Sequence, residues 1–372
     1  MLEHLNKNIG LVVAAVLLSV FVAYAQQVEP EPKVEEFDQQ SFIMSHVKDA
    51  HSFHIGDVDG HAISVPLPVI LIGDGGVTVF MSSAFHHDNS ARHVVEKNGR
   101  RFVMLNEKIY YANPEAGTDG TYLTFDENGA VANAKPFDMS FSKNMVTLTM
   151  VMILLFSIFL TMARFYRKKE NVDKVPRGVA RLFEPLVIYL RDEVVRPNIG
   201  EDAYRKYTPY LLTLFFFILF TNLLGLIPFF PFGANVSGNT SFSLPLAFFT
   251  FVIVQFSGTK EYWKEIVSVP GVPKPIMIIL APVEFLGLFT KPFALTIRLF
   301  ASILGGHITI LSLLMLIFVF KMWAVVPVSG LFVVFMTFIE LLVAVIQAYI
   351  FTLLTAIYIG AARVSAEHEN EL

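Results

Sequence analysis

Apolar residues along this chain fall into long blocks broken by short charged stretches. Five blocks are long enough to cross a bilayer: 144–163, 208–230, 242–256, about 275–320 and about 325–363. About 20 apolar residues suffice for one crossing. The last two blocks are roughly twice that, so each either breaks into two spans or forms one long, tilted helix. Few polar residues are placed to make a re-entrant turn inside either block. The pattern therefore predicts two long helices, packed antiparallel through 321–327 and far more tilted than the usual ~20°. Residues 179–195 mix apolar and charged positions and predict an amphipathic helix lying at the membrane surface. Ahead of the first span the pattern changes to short apolar or alternating runs at 62–65, 69–72, 77–81, 101–105 and 122–125, separated by Gly, Asp and Asn. That pattern predicts a small β-rich domain. The expected fold class is thus an all-α polytopic membrane protein of about five transmembrane helices, the last two long and strongly tilted, with a small β-rich extracytoplasmic N-terminal domain.

Composition agrees with the blocks. The 372 residues are 54% hydrophobic and 16% charged, and mean hydropathy is +0.56; soluble proteins are about 25% charged. The absence of cysteine excludes disulfides and thiolate metal sites. Residues 1–25 read as a signal peptide: Lys7 precedes an apolar run that ends at Ala23-Tyr24-Ala25. An uncleaved anchor is the alternative, and either places residue 26 onwards outside the cytoplasm. Residues 26–142 form an acidic domain, with 17 Asp/Glu against 8 Lys/Arg, and 28–38 read as a disordered leader. Residues 143–372 are the membrane domain. Arg164, Arg167, Lys168, Lys169, Lys174, Arg177 and Arg181 follow the first span and mark the cytoplasmic side. Lys260, Glu261, Lys264, Glu265 and Lys274 fall on the same side, as does the C-terminal tail. The chain shows no inverted pair of halves of the kind found in many secondary transporters.

The most costly residue in this pattern is Arg298, a guanidinium inside an otherwise apolar block. Such a charge persists only where it meets protein, water or an opposite charge. At 100° per residue, Glu284, Lys291, Arg298, Ser302, Gly305 and Thr309 share one stripe of the penultimate helix. His307 points to the opposite side of a straight helix. Pro282 and Pro292 are expected to kink the helix and free carbonyls near the stripe. On the last helix, Glu340, Gln347 and Tyr358 form a second stripe at spacings of seven and eleven. A buried His307–Glu340 pair is suited to proton relay, since imidazole titrates near neutral pH. A polar seam that only joins helices is the bland alternative.

These residues resemble the a subunit of rotary F-type ATP synthases over roughly 140–363. The most specific elements are Lys291-Pro292, Ile297-Arg298-Leu299-Phe300, Gly306, Gln347-Ala348-Tyr349-Ile350-Phe351 and Tyr358. Asn222-Leu223-Leu224-Gly225-Leu226-Ile227-Pro228 is similar to an earlier family motif, and Asn239 with Ser241 to the polar motif opening the next span. The order of His307 and Glu340 is that of mitochondrial members and the reverse of some bacterial ones. Ser302 stands where many members have asparagine, and Gly225 where some have aspartate. The resemblance implies a static subunit of the bacterial inner membrane. It would provide two half-channels that pass protons to and from the c-ring carboxylate and couple translocation to rotation and ATP synthesis. Arg298 would be the essential arginine. His307, Glu340 and Asn222 would belong to the exterior path, and Glu284 and Lys291 to the cytoplasmic one. Gln347 would pack near the arginine, with Ser302 and Tyr358 also along the pathway. Implied partners are the c-ring, the b subunit stalk, the remaining synthase subunits and membrane lipid.

A stand-alone secondary transporter or ion channel is the alternative; it would show paired broken helices or a central ligand pocket. An intramembrane hydrolase would need a serine–lysine dyad, paired aspartates or His-Glu-x-x-His, and the last spans contain none of these. No phosphate-binding glycine loop is present, so neither ATP nor another cofactor is expected to bind this chain. For the seven histidines of residues 46–93 two readings stand. Surface residues of a loop-rich domain are favoured by the lack of organised carboxylates; the other is a metal site around His51/His54 and His86/His87. The sequons at Asn235 and Asn239 read as structural turn residues.

Overall fold

The structure is a computed structural model. It describes residues 48–58, 61–73, 76–117, 119–127, 129–168, 178–227, 233–267, 273–320 and 322–363. The signal-peptide and leader readings, and those for Lys169, Lys174, Arg177 and Lys321, lie outside the described residues.

Alternating side chains make eight strands: β1 (Ser52–Val58), β2 (His61–Pro66), β3 (Pro68–Gly73), β4 (Gly76–Met81), β5 (Val95–Lys97), β6 (Arg100–Leu105), β7 (Lys108–Tyr111) and β8 (Phe137–Asp138). They form a β1–β2 hairpin and two three-stranded antiparallel sheets, β4–β3–β8 and β5–β6–β7. Val69, Leu71 and Phe80 of the first sheet meet Phe102, Met104 and Ile109 of the second in one core. On the far side of the second sheet, Val103 and Tyr110 pack with Ala91 and Leu123. The strand expected at 122–125 is not formed. Its backbone turns through Asp126–Ala130, and only an isolated Phe125–Val131 bridge remains.

The domain joins the first span without a linker. Met139 N–H and Phe141 N–H donate to Ile70 O and Pro68 O, extending β8 along β3, and Lys143 N–H donates to Ala50 O. Ser142 Oγ caps helix α1 (Lys143–Tyr166) by accepting from Met145 N–H, and Asp49 accepts from Asn144 N–H at 3.1 Å. Beside this junction His51 is buried. Its Nε2 lies 3.0 Å from Asp138 Oδ2 and its Nδ1 3.8 Å from Glu107 Oε2. Burial alone would lower the imidazole, but the hydrogen bond and charge of Asp138, with the nearby charge of Glu107, outweigh it and push His51 up to about 9. Burial likewise opposes the charge on Asp138, yet the bond to His51 holds it below the usual carboxylate range.

The surface helix expected at 179–195 is α2 (Val179–Tyr189), which continues as a π-helical turn, Leu190–Val195. Then come α3 (Arg196–Ile199), α4 (Tyr204–Gly225), α5 (Thr240–Ser257), the short α6 (Lys260–Val267), α7 (Lys274–Phe320) and α8 (Val325–Arg363). Five of these helices are long and apolar enough to cross a membrane. Helix α4 sits at the centre, against α1, α8 and the π turn, and the rings of Phe159, Phe183, Phe216 and Phe220 interlock around it. Helices α7 and α8 run as single pieces of 47 and 39 residues, about 70 and 58 Å long. That is roughly twice the ~30 Å hydrocarbon core. Pro282 and Pro292 do not interrupt α7. Gly360 lets α8 lie directly on the backbone of α3, where a Cβ would stand 1.8 Å from Asn198 O.

Candidate functional site

The polar stripes of α7 and α8 meet as a ladder. Lys291 Nζ stands 5.5 Å from the centroid of the Tyr358 ring. Gln347 Nε2 donates to Ser302 Oγ at 2.6 Å. His307 Nε2 lies 3.7 Å from Glu340 Oε1. Moving up α8 from Glu340 to Gln347 to Tyr358 therefore moves down α7 from His307 to Ser302 to Lys291, as an antiparallel pair requires. All three residues of the α8 stripe find their partners on α7.

Glu340 is 2% exposed, and neither of its oxygens has a hydrogen-bond partner. Gly306 makes room for it: a Cβ there would lie 2.7 Å from Glu340 Oε1. Burying a carboxyl group without hydrogen bonds is costly, which makes Glu340 a candidate site residue. Helix α4 reaches the same stripe through Asn222, whose Nδ2 donates to Ala344 O at 3.3 Å. Its Oδ1 accepts from Ser237 Oγ. Ser237 was not singled out for this role by the sequence; the signal was the run of polar residues, Asn235-Val236-Ser237-Gly238-Asn239, in an uncharged loop. Asn235 Oδ1 accepts from Gly238 N–H and Asn239 Oδ1 from Ser241 N–H, so both sequon asparagines hold turns.

The α7 stripe divides. Lys291 and Ser302 turn towards α8, whereas Glu284, Arg298, Gly305 and Thr309 are exposed. Glu284 lies close enough to α6 that its charge adds to burial in raising the Tyr262 phenol. Arg298 emerges beside the buried Leu295 and Leu299. Around it Ala294, Ala301 and Gly305 are exposed too, at i−4, i+3 and i+7, and nothing stands within 4 Å of a Cβ built on Gly305. Small residues at that spacing let another helix approach closely. Gln347 is bonded to Ser302, one turn from Arg298, and among the described residues Arg298 has no ion-pair partner. Four of the β-domain histidines, His51, His86, His87 and His93, have described side chains. His51 is in its carboxylate cluster, His86 packs edge-on against His93, and His87 lies beside Ser64. Among the described residues no group of three or more His, Asp or Glu is placed to hold a metal.

Comparison with known proteins identifies the family. The family model of the ATP synthase A chain matches residues 145–360, which include every residue of the ladder. The chain belongs to the ATP synthase A chain family. It is 43% identical to ATP synthase subunit a of Chloroherpeton thalassium over 260 residues, 68% of this chain and 77% of that protein. It is 46% identical to ATP synthase subunit a 2 of Chlorobaculum tepidum over 262 residues, 68% of this chain and 72% of that one. Subunit a of Anaeromyxobacter dehalogenans is 35% identical over 362 residues, 94% of this chain and 89% of that protein, so its similarity extends through the β-domain. Residues 42–139 match a second family model, described as a domain of unknown function (DUF8433). As an ATP synthase A chain, the protein is a multi-pass protein of the bacterial inner membrane. It is the proton-translocating Fo subunit and works with the c-ring, the b subunit and the other subunits of the synthase.

Proposed function

We propose that Arg298 is the fixed positive gate between two offset proton paths, and that the α7–α8 ladder holds those paths in register. The observation that carries this reading is the exposed guanidinium on a membrane helix, set in a strip of small residues open to an approaching helix. A c-ring carboxylate passing Arg298 is favoured in its ionised form and gives up its proton. The same charge repels a proton or sodium ion that would leak straight through. His307, Glu340 and Asn222 serve the path on the β-domain side. Glu284 and Lys291, with Tyr358 beside them, serve the opposite one, and Ser302 and Gln347 fix the level of the arginine between them.

The orientation proposed places the N-terminal domain in the periplasm and the C-terminus in the cytoplasm. It is supported by the cations gathered at one end of the bundle. Arg164 and Arg167 end α1 and Arg363 ends α8. Lys260 and Lys264 lie on α6. Arg363 and Lys206 both stand over the Tyr207 ring, and Thr259 N–H donates to Ala362 O. Such an excess marks the cytoplasmic face. The division into a signal peptide, an acidic domain over 26–142 and a membrane domain from 143 is part of the same proposal.

The test is Arg298→Ala in the reconstituted synthase. Proton-driven ATP synthesis should disappear, with a passive proton leak through vesicles that hold the intact complex. Normal coupling in that variant would refute the assignment.

A further inference from the structure

The sheet β4–β3–β8 has an unusual outer face. Successive strand residues point to opposite sides, and the inward set, Val69, Leu71 and Phe80, fills the shared core. The outward set of β4 is also apolar: Val77, Val79 and Met81. The register sets Ile72 opposite both Val77 and Phe137. Beyond Phe137 the same face continues through Met139 and Phe141, while the intervening Asp138 and Ser140 turn inward to His51 and to Ile70 N–H. These outward side chains from Ile72 to Phe141 are 36–67% exposed, and none is charged. Among the described residues the second sheet is covered on both sides and the first on one. Contiguous apolar patches of this kind mark interaction surfaces.

The position of the patch selects its occupant. Phe141 is the last outward residue, and only Ser142 separates it from α1, the first membrane span. The bonds from Lys143 and Asn144 to Ala50 and Asp49 fasten that helix start to the domain. From Phe137 to Lys143 the extended chain covers about 20 Å. The apolar face thus leads, across Ser142 alone, into α1, whose own exposed apolar side begins at Met145. We propose that this sheet face lies on the bilayer, with its phenylalanine, methionine and valine side chains inserted among the lipids of the leaflet on the domain's own side. The N-terminal domain would then be a membrane-seated clamp that fixes the depth and tilt of α1.

The chain contains no cysteine, so one introduced cysteine marks this subunit at one position, and the parent synthase, labelled in parallel, supplies the background from the other subunits. Val79→Cys and Phe137→Cys report on the face, and Glu96→Cys, exposed on β5, serves as the aqueous reference. The labelled complex is reconstituted in phosphatidylcholine–phosphatidylglycerol liposomes. Relaxation by oxygen, which concentrates in lipid, is compared with relaxation by a water-soluble nickel chelate. The expected result is several-fold preference for oxygen at positions 79 and 137 and for nickel at position 96. Nickel preference at all three would place the face in water and overturn the proposal. Protection from both reagents at 79 and 137 would mean that protein, a second copy or another subunit, covers the face, and would overturn it equally.

Discussion

Changing Asp138 to Asn removes the stronger partner of His51 and should loosen the junction between the β-domain and α1 in a pH-dependent way. In the folded chain His51 is pushed from its ordinary 6.5 up to about 9. At about 1.4 kcal/mol per tenfold change in proton affinity, the cluster contributes on the order of 3 kcal/mol to local stability by linkage. The sign follows from the direction. A raised histidine contributes fully below pH 6.5, and its contribution is lost as pH rises through about 9. Asp138, held below its ordinary 3.8, loses its share only under acid conditions. The share contributed by the His51–Asp138 pair is therefore greatest between about pH 4 and 6.5 and falls towards pH 9, while the buried Lys143, held below its ordinary value, acts in the opposite sense and is common to parent and variants. Hydrogen exchange of the intact complex, corrected for intrinsic rates, reads this at the amides of β1 and β8. Opening of that segment in the parent should cost less at pH 9.5 than at pH 6. In Asp138→Asn, opening at pH 6 should already resemble the parent at pH 9.5, and His51→Gln should show almost no dependence in this range. Equal pH dependence in the parent and both variants would refute the role of the cluster.

Two further outcomes test the helical domain. Glu340→Gln keeps the shape of the buried side chain but cannot exchange a proton, so proton flux and ATP synthesis should fall measurably, though less than in Arg298→Ala; a rate and pH profile equal to the parent's would remove Glu340 from the pathway. Gly360→Ala forces a Cβ against Asn198 O, and overpacking of this kind typically costs about 1–3 kcal/mol, so the synthase should melt at a lower temperature or assemble in lower yield; unchanged melting and yield would contradict the backbone contact between α8 and α3.

What the sequence disclosed depended on how far each signal reaches along the chain. Membrane spans are local blocks of apolar residues, and all five were legible, including the unbroken length of α7 and α8. The α8 stripe was legible because helical spacing alone sets Glu340, Gln347 and Tyr358 on one side. The division of the α7 stripe was not, because the angle at which α8 crosses α7 decides which of its members are covered. Helix α6 is too short to give a periodic signal, and β8 has only two residues, recognisable by their pairing with β3. The 122–125 segment has strand composition but its backbone is claimed by the following turn. The His51 cluster joins residues 51, 107 and 138, brought together only by topology. Alternation at 77–81 identified a strand, but not that its exposed face would be the apolar one.

The ladder also fixes distances that a channel of this kind needs. Sliding α7 along α8 by one residue would turn Ser302, Lys291 and His307 away from their partners together, so three contacts resist the same displacement. At 1.5 Å per residue, Arg298 lies about 13 Å along the axis from His307 and about 21 Å from Glu284. The span from Glu284 to His307 is therefore about 35 Å, more than the ~30 Å hydrocarbon core. On a helix crossing obliquely, that length allows each group to approach its own aqueous side while Arg298 remains in the apolar interior. A single upright span of about 20 residues could not hold an arginine that far from both a lower carboxylate and an upper histidine. The unusual length of α7 is thus what separates the two proposed paths, and the bonds to α8 are what keep the arginine between them.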